Sequence, residues 1–119
     1  MSIRVTPLLH VPDVTATISW YQAIGFALVA THERGGVTDW AELELGGSRV
    51  MFTEGGRPAT RDRRDVDLYV RVGEVEELYG RLKDDIEIVK GLHDTFYGMR
   101  EFIARDPNGF WLTFGQPSG

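Results

Sequence analysis

Residues 100–115, REFIARDPNGFWLTFG, alternate apolar and polar side chains up to a turn and then alternate again. A period of two is typical of a β-strand with one buried face. Between the two runs, DPNG places Pro107 at the second turn position and Gly109 at the fourth, as a type I turn prefers. The stretch therefore predicts a β-hairpin, and its second strand carries the polar Thr113 among apolar neighbours.

Two similar helices are predicted earlier in the chain. In VPDVTATISWYQAIGF, residues 11–26, Asp13 can cap a helix whose apolar side chains recur at helical spacing, and Gly25 provides a stop. VGEVEELYGRLKDDIEIV, residues 72–89, repeats this plan with acidic residues near its start. The two segments align with an offset of 61 residues.

Short alternating segments follow each predicted helix, which makes each half of the chain a βαβββ module in an α+β fold. They read FALVATHE, WAELEL and SRVMFT in the first half, and IEIVKG, REFIAR and FWLTFG in the second. We predict one domain over residues 1–119, with module one at about 4–53 and module two at about 65–116. Glycine, proline and charged residues over about 54–64 predict a linker between them.

Composition excludes several functional classes. A net charge of −5 argues against a nucleic-acid surface, which needs clustered lysine and arginine. No apolar run approaches the ~20 residues that span a bilayer, and no secretory signal is recognisable, so we expect a cytoplasmic protein with no membrane partner. The absence of cysteine excludes disulfides, thiolate metal sites and a cysteine nucleophile.

Alternation also separates the face of each strand that packs on a helix from the opposite face. In DVDLYVRV, residues 65–72, three valines and one leucine form the apolar face, so Asp67 and Tyr69 lie on the opposite one. The same phase, applied to the other strands, directs a further set of side chains away from the helices: Leu8, His10, Trp40, Glu42, Met51, Trp111 and Thr113.

The repeated module, the VPDVTATISWYQAIGF opening and the segment YGMREFIARDPNGFWLTFG at residues 97–115 resemble the glyoxalase, bleomycin-resistance and extradiol-dioxygenase superfamily, also called the vicinal oxygen chelate superfamily. The resemblance covers roughly residues 4–116. It implies that each module curls its mixed sheet into half of a cleft, with the helices on the convex side. It also implies a homodimer in which modules of two chains complete each cleft.

Metal-dependent members of this superfamily place four ligands on the cleft faces of their strands. By motif alignment those positions fall on Thr6, Met51, Asp67 and Thr113 in this chain. A catalytic divalent ion needs several converging carboxylates or imidazoles, and only Asp67 is a charged ligand of this kind. The resemblance therefore predicts a cleft with no metal, no cofactor and no catalytic residue.

The preferred hypothesis is a non-enzymatic protein that resembles the bleomycin-resistance branch and sequesters a bulky, aromatic, cationic small molecule. Stacking on tryptophan and tyrosine would supply contact area, and carboxylates would balance the charge. The segment FYGMRE, residues 96–101, is interpreted as a loop at the cleft rim. The predicted ligand-binding residues are Leu8, His10, Trp40, Glu42, Met51, Asp67, Tyr69, Phe96, Tyr97, Arg100, Trp111 and Thr113.

Two alternatives remain open from the sequence. One is an enzyme of the same fold, either a metal-dependent lyase, isomerase or dioxygenase with displaced ligands such as His10, Glu42 and Asp67, or a metal-free acid–base catalyst that uses Asp67. The other is a regulatory or accessory protein whose cleft is vestigial, since one fold hosts several functions.

Overall fold

The structure is a computed structural model that describes residues 2–60 and 62–119. The chain divides into two compact units, and the division falls between Ala59 and Thr60. The predicted linker includes Arg61 and the predicted domain includes Met1, and these two residues lie outside the described part of the chain.

The first unit contains four strands and one helix. They are β1 (Leu8–His10), α1 (Val14–Ala23), β2 (Ala27–Arg34), β3 (Val37–Leu45) and β4 (Ser48–Thr53). The strands form one sheet, called sheet one, in the order β1-β4-β3-β2. Strand β1 is parallel to β4, and the other two pairings are antiparallel.

The second unit repeats the order of the first. Its elements are β5 (Asp67–Arg71), α2 (Val75–Leu82), β6 (Glu87–Asp94), β7 (Met99–Arg105) and β8 (Trp111–Pro117). They form sheet two in the order β5-β8-β7-β6, again with one parallel pairing, between β5 and β8. The α+β prediction of two βαβββ modules with mixed sheets is confirmed.

The two helices begin where the sequence predicted. Asp13 precedes α1, and its carboxylate accepts a hydrogen bond of 3.0 Å from the backbone N–H of Ala16. Gly25 follows the helix at φ 116°, a conformation that favours glycine. Helix α2 starts at Val75, in the equivalent place of the repeat, without a side-chain cap. Neither helix in the described residues is long and apolar enough to cross a membrane.

Aromatic packing joins each helix to one face of its own sheet. In the first unit the ring of Tyr21 lies 4.7 Å from that of Phe52, and both side chains are fully buried. In the second unit Tyr79 contacts Phe102 at 5.1 Å, and Phe102 stacks on Phe114 at 4.8 Å. Because neighbouring side chains on a strand point to opposite faces, the residues between these aromatics lie on the far side of each sheet.

The DPNG turn between β7 and β8 is held by the side chain of Asp106. Its Oδ1 accepts hydrogen bonds of 2.8 Å from the backbone N–H groups of Asn108 and Phe110. The turn closes with a bond of 3.1 Å from the N–H of Gly109, at φ 88°, to the carbonyl of Asp106. This confirms the predicted hairpin and explains why a buried carboxylate is tolerated, since two N–H donors satisfy it.

We expect Asp106→Ala to lower the free energy of unfolding by about 2–4 kcal/mol, because two poorly solvated backbone N–H groups would lose their acceptor. Urea denaturation measures the change. The exposed Asp84 offers a control, and Asp84→Ala should stay within about 0.5 kcal/mol of the parent protein. Equal stabilities of the two variants would contradict this account of the turn.

Candidate functional site

Four of the predicted ligand-binding residues lie together on the face of sheet two that points away from α2. Asp67 is the register partner of Trp111, and Tyr69 is the register partner of Thr113. We call this surface the outer face of sheet two. Thr113 is only 9% exposed there, so its side chain is buried within this face and does not project into solvent.

Arg63, just before β5, covers part of this outer face. The central carbon of its guanidinium lies 4.0 Å from the centroid of the Trp111 ring. The same guanidinium forms an ion pair, through Nη2, with Oδ2 of Asp67. A planar cation therefore lies between an indole and a carboxylate, which attract it by a cation–π interaction and by charge.

The contact of Arg63 is exposed, which limits its strength. The side chain of Arg63 is 55% exposed and that of Asp67 is 31% exposed. Exposed ion pairs contribute about 0.2–1 kcal/mol, and exposed cation–π contacts contribute about 0.5–1 kcal/mol. The contact therefore contributes little to stability, and the guanidinium remains accessible to solvent.

The neighbouring Arg64 is anchored separately. Its Nε donates a hydrogen bond of 2.9 Å to the carbonyl oxygen of Asn108, and its guanidinium lies 5.3 Å from the ring centroid of Phe110. These partners belong to the β7–β8 turn. The backbone beside Arg63 is therefore positioned by contacts that do not involve the Arg63 side chain.

A buried carboxylate also faces the outer side of sheet two. Glu101 on β7 is 2% exposed, and its Oε2 accepts hydrogen bonds of 2.7 Å from the hydroxyls of both Tyr69 and Tyr97. The two phenols compensate for the water that this carboxylate loses on burial. Tyr97, which the sequence assigned to the rim loop, is thus brought to the same cluster as Tyr69.

His93 and Gly115 complete the surroundings of Glu101. His93 Nδ1 donates a hydrogen bond of 2.8 Å to the carbonyl oxygen of Gly91, and Nε2 lies 3.8 Å from Glu101 Oε1. A Cβ atom on Gly115 would lie 2.1 Å from the Tyr69 hydroxyl oxygen. The absence of a side chain at Gly115 therefore creates the space in which Tyr69 reaches Glu101.

This environment changes the acidity of both phenols. Burial, followed by the hydrogen bond and negative charge of Glu101, raises the pKa of Tyr69 to about 12. The hydrogen bond to Glu101, followed by burial, raises the pKa of Tyr97 as well. Each phenolate would lie beside a carboxylate, so the neutral form that donates the hydrogen bond is favoured.

Five predicted residues lie on the face of sheet one that points away from α1. Leu8, Met51 and Glu42 occupy one row across β1, β4 and β3. His10 and Trp40 occupy the next row, on either side of Thr53. We call this surface the outer face of sheet one.

Arg49 already balances the acidic residues of that outer face. Its Nη1 lies 3.3 Å from Oε2 of Glu42, and its Nε lies 2.8 Å from Oε2 of Glu44. Glu42 was predicted to balance the charge of a cationic ligand. In the structure a ligand would first have to compete with Arg49 for it.

Two predicted residues are not brought to these faces. Arg100 lies on the helix side of sheet two, where its Nε donates 2.7 Å to Glu76 of α2 and its Nη1 donates 3.2 Å to Asp94. Phe96 is fully exposed in the β6–β7 turn, with its ring 5.1 Å from that of Tyr97. Arg100 is placed there because it is two residues from the helix-facing Phe102.

The residues at the four inferred metal positions do not fit a divalent ion. Met51 offers only a thioether, Thr6 and Thr113 offer hydroxyls, and Asp67 is engaged by Arg63. Among residues 2–60 and 62–119 no group of three histidine, aspartate or glutamate side chains is arranged to hold a metal ion. Hard divalent ions need charged oxygen or imidazole donors, and this set supplies one carboxylate.

Strand alternation directs Arg49 to the same face as Met51, but sequence reasoning missed Arg63 and Glu101. A signal for Glu101 was present, because alternation in REFIAR places it opposite Phe102, on the same face as Thr113. No comparable signal existed for Arg63. It precedes the strand, where periodicity does not define a direction.

A comparison with protein-family models finds one match, over residues 4–114, to the Glyoxalase/Bleomycin resistance protein/Dioxygenase superfamily. The match covers nearly the whole chain, so the chain belongs to this superfamily. No curated protein matches it.

Solved structures support the same fold. TioX from Micromonospora sp. ML1 is 25% identical, with a TM-score of 0.79 over 98% of this chain and 99% of that chain. A protein of unknown function from Agrobacterium tumefaciens str. C58 is 20% identical, with a TM-score of 0.76 over 98% and 95%. A glyoxalase/bleomycin resistance protein/dioxygenase from Nocardioides is 18% identical, with a TM-score of 0.68 over 99% and 86%.

We expect one of the four tyrosines to titrate near pH 12, and Tyr69→Phe to remove that step from the tyrosinate absorbance curve. Because the folded pKa is raised, the contribution of this phenol to stability is complete below about pH 10 and is lost as the pH rises toward 12.

Gly115→Ala provides a second test of the same contact. The added methyl group should push the half-exposed Tyr69 away from Glu101 while the chain stays folded, and the late step should move to lower pH. Glu101→Gln should have the same effect by removing the charge. A late step that survives Tyr69→Phe would show that another phenol causes it.

Proposed function

We propose that this protein binds and sequesters a bulky aromatic cation without a metal or a cofactor, as antibiotic-resistance binding proteins do. The binding site is the outer face of sheet two around Trp111 and Asp67. One observation carries the proposal: the guanidinium of Arg63 lies 4.0 Å above the Trp111 ring while it pairs with Asp67. The chain itself thus provides an example of a planar cation bound there.

The composition of this surface favours an aromatic cation over an anion or a neutral molecule. Trp111 and Tyr69 offer rings to an aromatic ligand, and Asp67 offers a negative charge beside one of them. The net charge of −5 on the whole chain attracts cations at long range, although salt screens that attraction.

An enzyme of this fold is the weaker hypothesis. Acid–base catalysis by Asp67 needs a carboxylate that is free to accept a proton, whereas this one is paired with Arg63. His10 and Glu42, the other displaced ligands considered, lie in different rows of sheet one, and Glu42 is paired with Arg49. We therefore assign no catalytic residue.

Aminoacridine, a planar cation at neutral pH, should bind saturably in isothermal titration calorimetry, and neutral acridine should bind more weakly. Trp111→Ala should weaken aminoacridine binding about tenfold, because it deletes the stacking surface. Trp20→Ala, a change on α1 in the other unit, is the matched control and should leave the affinity unchanged.

Circular-dichroism melting curves would show whether both variants stay folded. Asp67→Asn should weaken aminoacridine mainly at low salt, since it removes charge and nearly keeps the shape. Equal binding of the parent protein and a folded Trp111→Ala variant would contradict the proposed site, and a lack of saturable binding would contradict the proposed function.

Native mass spectrometry of protein purified from its own host should show no stoichiometric divalent metal. The physical reason is the donor set, in which Asp67 is the only charged member of the four inferred positions. One tightly held metal ion per chain that is lost in Asp67→Asn would instead support the metal-dependent alternative.

We further propose that the protein functions as a homodimer, as the family resemblance implies. Each sheet ends in strands whose outer edges are able to pair with another chain: β1 and β2 in sheet one, β5 and β6 in sheet two. A chain of this size also gains stability by covering more apolar surface. The same mass spectrum should show about twice the 13.4 kDa of one chain.

A further inference from the structure

The side chain of Arg63 occupies the place where the proposed ligand would lie. The central carbon of its guanidinium lies 4.0 Å from the centroid of the Trp111 ring, and Nη2 of the same group pairs with Oδ2 of Asp67. A guanidinium or amidinium can satisfy both partners at once because it is flat and its donors lie in its plane. A tetrahedral ammonium has no flat face with which to stack.

The position of the surrounding backbone does not depend on this contact. Arg64 is anchored by its bond of 2.9 Å to the carbonyl of Asn108, and Arg105 donates a hydrogen bond to the carbonyl of Thr60. The Arg63 side chain can therefore leave the Trp111 ring while its neighbours stay in place. Its 55% exposure gives it room to move into water.

From this geometry, and resting on the proposed function, we infer that the ligand carries an aromatic amidinium or guanidinium group that replaces the Arg63 guanidinium between Trp111 and Asp67. Arg63 is then an internal competitor. It covers the indole and the carboxylate when no ligand is bound. The apparent affinity for the ligand is then reduced in proportion to the fraction of protein in which Arg63 has left the site. Cations that cannot reproduce its stacked geometry displace it poorly.

Benzamidine, benzylamine and benzamide form a suitable set of probes. They share a phenyl ring and carry a planar cation, a tetrahedral cation and no charge, respectively. Calorimetry with the full chain should give the tightest binding for benzamidine. Arg63→Ala should increase benzamidine affinity about 3- to 10-fold, because an exposed ion pair and an exposed cation–π contact no longer compete.

Arg81→Ala is the matched control for charge. Arg81 lies in the last turn of α2, on the side of sheet two opposite the site, and its loss changes the net charge by the same amount. It should leave benzamidine affinity unchanged. Arg63→Lys keeps the charge without the planar group, so its benzamidine affinity should lie between those of the parent protein and Arg63→Ala.

Equal benzamidine affinities for Arg63→Ala and Arg81→Ala would overturn the inference, and so would benzylamine binding as tightly as benzamidine to Arg63→Ala. Aminoacridine separates this failure from failure of the proposed function. If aminoacridine binds at Trp111 and Arg63→Ala leaves benzamidine affinity unchanged, the proposed sequestration stands and the proposed exchange with Arg63 is wrong. If Arg63→Ala improves benzamidine binding but no variant binds aminoacridine, the exchange stands and sequestration of bulky cations is wrong.

Discussion

The packing of one helix against one face of each four-stranded sheet is the constraint on which the rest of this structure depends. Tyr21 on Phe52 in the first unit, and Tyr79 on the Phe102–Phe114 pair in the second, place the aromatic core on the helix side. Strand geometry then directs every second residue to the opposite face. Polar and charged groups collect there because the helix-facing positions are taken by side chains whose burial stabilises the fold.

The carboxylates on these outer faces are balanced by groups from their own unit, in two different ways. Asp67 and Glu42 form ion pairs with the arginines Arg63 and Arg49. Glu101 is buried and receives two phenol hydrogen bonds, which fix its position and favour the neutral tyrosines. Pairing with an arginine leaves the carboxylate available to a competing cation. The buried Glu101, with its two phenols, instead forms a fixed part of the surface beside Asp67.

This distinction bears directly on the chemistry of the site. Metal-dependent catalysis would need several charged oxygens or imidazoles to converge on one ion, and the four inferred positions provide a single carboxylate. Cation binding needs fewer groups. It needs one aromatic face, one carboxylate beside it, and a resident side-chain cation that an incoming ligand can displace. Trp111, Asp67 and Arg63 meet these three requirements, which is why we favour binding over catalysis within a superfamily that hosts both.

The amino-acid sequence by itself determined the two βαβββ modules, the Asp13 cap, the DPNG hairpin and the assignment of strand residues to faces. These features arise from local periodicity and from contacts between residues close in sequence, so a linear pattern records them. It also placed Asp67, Tyr69, Trp111 and Thr113 on one face. Strand alternation also accounts for Arg100, which shares the helix-facing side of β7 with Phe102. Only the tertiary structure decided that Tyr97 and Tyr69 share Glu101, and that Arg63 covers Trp111. Each of these two outcomes depends on where a long side chain finds a partner, either on a neighbouring strand or from a segment without regular periodicity, and spacing along the chain carries no record of that choice.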